Sequence, residues 1–289
     1  MSFISKKKTA IPGFGLTMGI TILALSLLVL LPLSMLVIKG ASLSFSKFIE
    51  IITSQRAIAS YKLSFGASFI AAFVNVVFGT LVAWVLVRYK FPFKRVVDAL
   101  VDLPFALPTA VAGITLTSLY SVPVFADNIA WYNGYFGVLL DKIGIKVAFT
   151  PLGVIVALIF IGLPFVVRSV QPVLQDLEPE LEEASLCMGA SRARTFFKVI
   201  LPNLIPAILS GFSLAFARAL GEYGSVVFIS GNMPMKTEII PLLIMTRLEQ
   251  YDYLGATAFA IVMLAVSFTL MLLVNFISFW SSNKYKSYN

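Results

Sequence analysis

The chain has 289 residues, of which 59% are apolar and 12% charged, and its formal net charge is +8. A soluble domain has about 25% charged residues, so a chain this apolar cannot cover its own surface, and most of it must face lipid or pack inside a helical bundle. One cysteine, Cys187, and no histidine exclude an internal disulfide, a Ser-His-Asp triad, a His-ligated zinc and a histidine proton relay. The basic residues are spread over loops, which points to membrane topology and away from nucleic-acid binding.

Lys6, Lys7 and Lys8 precede an apolar run from Leu16 to Ile38. A signal-peptide core has about 7–15 residues, and a bilayer needs about 20. The run therefore predicts an uncleaved first helix. Further spans are predicted at Ser64–Val87, Ala99–Leu119, Pro151–Val167, Ile205–Phe228 and Ala256–Phe279, six in all. Pro104 and Pro108 lie one turn apart and predict a kink in the third span. The fourth is short and carries Pro164 near its end. The segment Gly134–Ile145, broken by Asp141, Lys142 and Gly144, is expected at the interface rather than across it. No internal repeat is evident.

Positive residues mark the cytoplasmic side. Lys6–Lys8, then Arg88, Lys90, Lys94 and Arg95, then Arg168, Arg192, Arg194 and Lys198, then Lys284 and Lys286 all fall on one side of a six-span chain. Both termini are expected there. The other side carries Lys39, Lys47, Arg56, Lys62, Lys142, Lys146, Lys236 and Arg247, so the bias is clear without being complete. The expected division is an N-terminal tail, extra helix and outer loop over 1–60, one all-α membrane domain over 61–280 with a charged loop at 175–202, and a cytoplasmic tail over 281–289.

That loop reads as two short helices at a bend. Pro179 suits a first helical position, and Glu180, Glu182 and Glu183 suit a helix N-terminus. Leu181, Ala184, Ser185 and Met188 share one helical face. Gly189 can end the first helix and Ser191 can cap the second. Ala193, Phe196, Phe197 and Ile200 give an apolar stripe along that second helix. Apolar side chains framed by charge are what a docking element for a partner protein needs, and a loop folded on its own bundle would look the same.

The spacing adds to this reading. Glu183-Ala184-Ser185, three residues, Gly189, nine residues, Val199-Ile200-Leu201-Pro202 resembles the EAA loop of ABC importer permeases, with every gap matched. Ser185 replaces the usual Ala, and Val199 a frequent Ile. The resemblance implies a coupling helix that inserts into a groove on an ATP-hydrolysing subunit, and it assigns that coupling role to Glu183, Ala184, Gly189, Leu201 and Pro202. The chain has no Gly-x-x-x-x-Gly-Lys-Ser/Thr loop to cradle nucleotide phosphates. The ATPase, with its ATP and magnesium, is therefore expected on a separate chain, and no cofactor and no catalysis on this one.

Two acidic–basic groupings stand near the spans. Arg218 and Glu222, four apart in the fifth span, would each be costly alone in lipid. They fit either a bundle-locking ion pair or a pathway or gate pair facing a wet cavity. Asp98 and Asp102, also four apart, read as acids at the start of the third span beside Lys94 and Arg95.

Leu103-Pro104-Phe105-Ala106-Leu107-Pro108-Thr109-Ala110-Val111-Ala112-Gly113 is similar to the start of span three in sulfate/thiosulfate permeases. Phe216–Ser225 is similar to their span five, and Leu242–Tyr253 to the segment before their last span. The likeness runs from about residue 60 to 280 and fits the T-type subunit of that family best. It implies a type I ABC importer permease fold with an extra N-terminal helix. The implied partners are a homologous W-type permease, an ATPase dimer and a soluble sulfate-binding protein, in a plasma (inner) or plastid membrane. A permease for molybdate or another oxyanion, and a stand-alone carrier or channel, are the alternatives.

Overall fold

The computed structural model describes residues 14–122 and 134–286. The Lys6–Lys8 run, residues 123–133 and the last three residues lie outside the described residues. Helix α1 (Phe14–Leu25) passes through one π turn (Ser26–Leu30) into α2 (Leu31–Ala41). Pro32 accounts for the turn. It has no N–H to offer the carbonyl of Leu28, and the Leu31 N–H reaches back to Ser26 instead. Every residue of α1 is exposed, whereas α2 packs on the last helix of the chain.

Helices α3 (Phe45–Ile52) and α4 (Gln55–Arg88) follow, with Ser44 and Ser54 accepting N–H bonds at their N-termini. The third predicted span is not continuous. It is split into α5 (Lys94–Val101), α6 (Leu103–Ala106) and α7 (Thr109–Tyr120). Leu107 is extended, with ψ 135°, because the following proline ring disfavours a helical residue before it. The expected interfacial segment holds a short helix, α8 (Tyr135–Asp141).

The fourth span is longer than its sequence predicts. α9 runs from Pro151 to Asp176 straight through Pro164 and Pro172, so Arg168 lies inside a helix and not in the loop after it. Helices α10 (Pro179–Cys187) and α11 (Arg192–Thr195) come next. A second π turn (Phe196–Ile200) then leads into α12 (Leu201–Leu220). The fifth span ends at Leu220, short of the expected Phe228, and the chain restarts as α13 (Val226–Ile229). α14 (Ile240–Glu249) and α15 (Tyr253–Lys286) complete the chain, with α15 continuing through the first part of the expected tail.

Among the described residues, five helical stretches are long and apolar enough to cross a membrane: Phe14–Ala41, Gln55–Arg88, Pro151–Asp176, Arg192–Leu220 and Tyr253–Val274, with the shorter apolar Thr109–Tyr120 beside them. α4, α9 and α12 form the centre, and α15 packs on α12 and α14. Ala67, Ala71, Ala72, Gly79 and Ala83 line the buried side of α4. Helices in lipid associate through such small residues because backbones can then approach closely. A Cβ on Gly79 would stand 2.9 Å from Val166 of α9. Leu86, Leu174, Ile200 and Leu204 fill the core at the end that carries α10, and Val154, Leu158, Ile229 and Leu242 fill the opposite end.

Candidate coupling helix and charged pair

α10 is built by local chemistry at both of its ends. Pro179 opens it, and Glu180 and Glu182 lie in its first turn, where their charge complements the exposed N–H groups. At the other end Gly189 has φ +80°. Its N–H bonds the carbonyl of Leu186, and the Ala190 N–H bonds the carbonyl of Ser185. This paired closure needs a left-handed residue, which glycine supplies without steric cost. Ser191 then caps α11 by accepting the Arg194 N–H at 3.3 Å.

Two contacts seat α10 on the bundle. The Ser185 hydroxyl lies 3.0 Å from the Thr195 hydroxyl, and both residues are buried. This is a use for the serine at a position where the resembling motif has alanine. Glu182 pairs with Arg88 at the end of α4. The Arg88 guanidinium also stands over the Trp84 ring, and Trp84 meets Phe196 edge-on at 5.5 Å. Ser185 therefore faces inward, away from the outward face it was expected to share with Leu181, Ala184 and Met188. Of the second stripe, Ile200 is buried and Phe196 half-buried, while Ala193 and Phe197 stay exposed.

What remains outward is an apolar surface of Leu181, Leu186, Met188 and Phe197, with Glu183, Ala184 and Cys187 also exposed. Met188 is 82% exposed. Leu201 and Pro202 lie behind this surface at the start of α12. Pro202 cannot donate to the carbonyl of Lys198, and the Leu201 N–H reaches back to Phe196, which makes the π turn. The motif's last two residues thus set how α10 and α11 join the span.

The second grouping forms where α12 ends. Arg218 Nη1 is 2.6 Å from Glu222 Oε2. Glu222 lies beyond Leu220, so the pair bridges a helix terminus and not the middle of a span. The carboxylate is almost fully buried, with side-chain exposures of 34% for Arg218 and 2% for Glu222. Its other oxygen accepts from the Ser225 N–H at 2.8 Å and the Ser225 hydroxyl at 2.9 Å. Glu222 therefore ties the break to itself and leaves one side of Arg218 uncovered by this chain.

The break also seats on α7. A Cβ on Gly224 would fall 2.1 Å from Thr109 Oγ1, and one on Gly113 would fall 2.4 Å from the Ser225 carbonyl oxygen. Two interrupted helices thus meet closely beside the ion pair: at Gly113 the neighbour is backbone and only glycine fits, while at Gly224 the Thr109 side chain would have to shift.

Residues 75–286 match the family model of the binding-protein-dependent transport system inner membrane component. The chain is 48% identical over 273 residues to the sulfate transport system permease protein CysT of Escherichia coli K12, covering 94% of this chain and 95% of that one. It is 50% identical over 261 residues to CysT of Synechocystis, covering 90% and 88%. This chain belongs to the CysT branch of that permease family. Among solved structures, a bacterial ABC transporter that imports the acidic polysaccharide alginate superposes with a TM-score of 0.73 at 18% identity, over 92% of this chain and 95% of that one. The shared fold is that of the type I ABC importer permeases, a multi-pass inner-membrane component.

Two ion-pair networks of this CysT-type chain are absent from the sequence reading. Arg56 of α4 donates Nε to Glu238 Oε2 at 2.7 Å and Nη2 to Oε1 at 2.6 Å, and Glu238 is fully buried. Arg168 of α9 reaches both Asp98 and Asp102. Each pair joins residues far apart in the chain, so no local pattern announces it. The one available signal was a charge beside an apolar span, a group in need of a partner.

Proposed function

We propose that this chain is the permease subunit of an ATP-driven sulfate/thiosulfate importer. The observation that carries the proposal is the likeness, along nearly the whole chain, to permeases named for sulfate transport. In this reading the chain forms half of a translocation pathway with a W-type permease. A soluble sulfate-binding protein delivers the anion to the outer face near 230–253 and 120–149. An ATPase dimer receives α10. The α10 end is cytoplasmic, both termini lie inside, and the membrane is the bacterial inner membrane or its plastid counterpart. ATP hydrolysis belongs to the partner chain.

α10 supports the coupling role by its shape. Its outward apolar face is rimmed by Glu183 and Arg192, while its base is fastened to α4 and α11 by Glu182 and Ser185. A helix held this way carries force from a partner into α4 and α12 together. Arg218 supports a pathway role, since its half-open guanidinium offers positive charge to a passing dianion while Glu222 limits how tightly that anion is held.

The test is uptake of labelled sulfate by the complex of this chain with its permease, ATPase and binding-protein partners in vesicles. Uptake should require ATP and prefer sulfate or thiosulfate over molybdate. ATP-independent uptake by this chain alone would make it a stand-alone carrier, and a molybdate preference would reassign the cargo. Gly189→Val forces a branched residue into a left-handed conformation at a local cost of about 1–2 kcal/mol, which lowers the ratio of seated to unseated loop about 5- to 30-fold. Uptake should fall, by at most that factor, while the chain still inserts. Arg218→Ala should lower uptake about tenfold in a complex that still assembles, and normal uptake would remove Arg218 from the pathway.

A further inference from the structure

Arg168 projects from α9 about two turns before its end. A guanidinium has five N–H donors, and here each of the five has an acceptor. Nε and Nη2 reach the two oxygens of Asp102 at 2.8 and 2.6 Å. Nη2 also reaches the Asp98 carbonyl at 2.8 Å, and Nη1 reaches Asp98 Oδ1 at 2.7 Å and Gln171 Oε1 at 2.6 Å. The clasp grips α5 and the start of α6 at once.

Little else holds that segment. Val101 is buried, and Phe105 meets Phe165 edge-on at 5.0 Å. Val96, Val97, Leu100 and Leu103 are exposed. Both flanks are backbone breaks, with Phe93 at φ +60° on one side and Leu107–Pro108 on the other. Past the second break, α7 carries Thr109 and Gly113, which touch the Gly224–Ser225 turn that holds Glu222.

We propose that Arg168 is a positioning residue for transport: its clasp on Asp98 and Asp102 holds α5–α6 against α9 in one state of the cycle and releases it in the other, turning the segment about Leu107–Pro108. The exposure of the clasp suits a latch. Arg168, Asp98 and Asp102 have side-chain exposures of 32%, 38% and 45%, so no other part of this chain covers the clasp; at the cytoplasmic end of α9, where the proposed topology places it, water takes over its hydrogen bonds on opening, and a wet ion pair opens cheaply. The buried Glu238 carboxylate could not be released in this way. Movement of α6 shifts the start of α7, and α7 bears on the Glu222–Arg218 pair.

The inference rests on the reading of the chain as an ATP-driven permease, and the two are tested apart. Hydrogen–deuterium exchange over residues 94–106 is measured in the assembled complex with and without a non-hydrolysable ATP analogue. Exchange should change severalfold with nucleotide in the native complex. Arg168→Ala should exchange fast in both states, and Arg168→Lys, with charge but three donors, should lie between. Arg168→Ala should also cut uptake about tenfold while ATPase activity persists, and the charge swap Arg168→Asp with Asp102→Arg should restore part of it. Nucleotide-independent exchange in the native complex, or an undiminished nucleotide response in Arg168→Ala, overturns the latch. So does a proportional fall of uptake and ATPase activity, which marks a merely structural role. If the native complex shows no ATP-dependent uptake of any oxyanion, the functional reading fails, yet faster resting exchange in Arg168→Ala than in the native chain still supports the clasp.

Discussion

Arg56→Ala is expected to destabilise the protein by about 3–5 kcal/mol, the cost of leaving a buried charge without its partner. Arg56 is the two-pronged partner of Glu238, whose side chain is 0% exposed. No water reaches that carboxylate to replace the guanidinium. The same region is pinned by the Ser64 hydroxyl, which accepts the Ile240 N–H at 2.8 Å, and by Thr237, which accepts the Met233 N–H at 2.9 Å. Loss of Arg56 should therefore loosen the whole segment 230–240 and the start of α14. A lower thermal unfolding temperature of the detergent-purified chain reads this. Adding Glu238→Gln to Arg56→Ala removes the orphan charge and should recover more than half of the loss. No recovery would mean that Arg56 acts through packing and not through charge.

The second large effect is expected at Glu222. Glu222→Ala deprives the Ser225 N–H and hydroxyl of their acceptor and leaves Arg218 unpaired, at a cost of about 3 kcal/mol. Arg218 is a third exposed, so the chain does not enclose its charge as it encloses that of Glu238, which places this below the Arg56 case. Glu222→Gln keeps an oxygen for Ser225 and gives up only the ion pair, so it should cost less than half as much. Thermal unfolding of the two variants, measured side by side, checks the order. Equal losses would show that the Ser225 bonds contribute nothing.

The parts of the fold legible in the sequence are those set by neighbours in the chain. Pro179, the acids after it, Gly189 and Ser191 each act within a turn of their own position, and the helix, its closure and the next cap stand where they indicate. The span ends were less legible. Hydropathy carried the third span across Pro108 and the fifth across Gly221–Gly224, because a few extended or turn residues leave an apolar window almost unchanged. Hydropathy ends the fourth span at Val167 because Arg168 resembles a loop charge. Its neutralising partners, Asp98 and Asp102, lie 70 and 66 residues away. Sequence neighbourhood in turn matches Asp98 and Asp102 with Lys94 and Arg95, whereas their partner, Arg168, comes from across the bundle. Ser185 shows the same limit on a smaller scale, since helical spacing grouped it with the outward side and the hydroxyl of Thr195 turned it inward.

α9 has a further property that follows from its two internal prolines. Pro164 and Pro172 have no N–H, so the carbonyls of Phe160 and Arg168 lack their usual donors along the helix. The two gaps are separated by about 12 Å of helix rise and are rotated by about 80° from one another. As a mechanical element α9 is thus a rod with two soft joints, and their compliant directions differ. One joint includes the backbone of the residue whose side chain grips α5 and α6. Bending there tilts the guanidinium without breaking any helical hydrogen bond, so α9 can be rigid along its length and yielding at the point where it holds its neighbour.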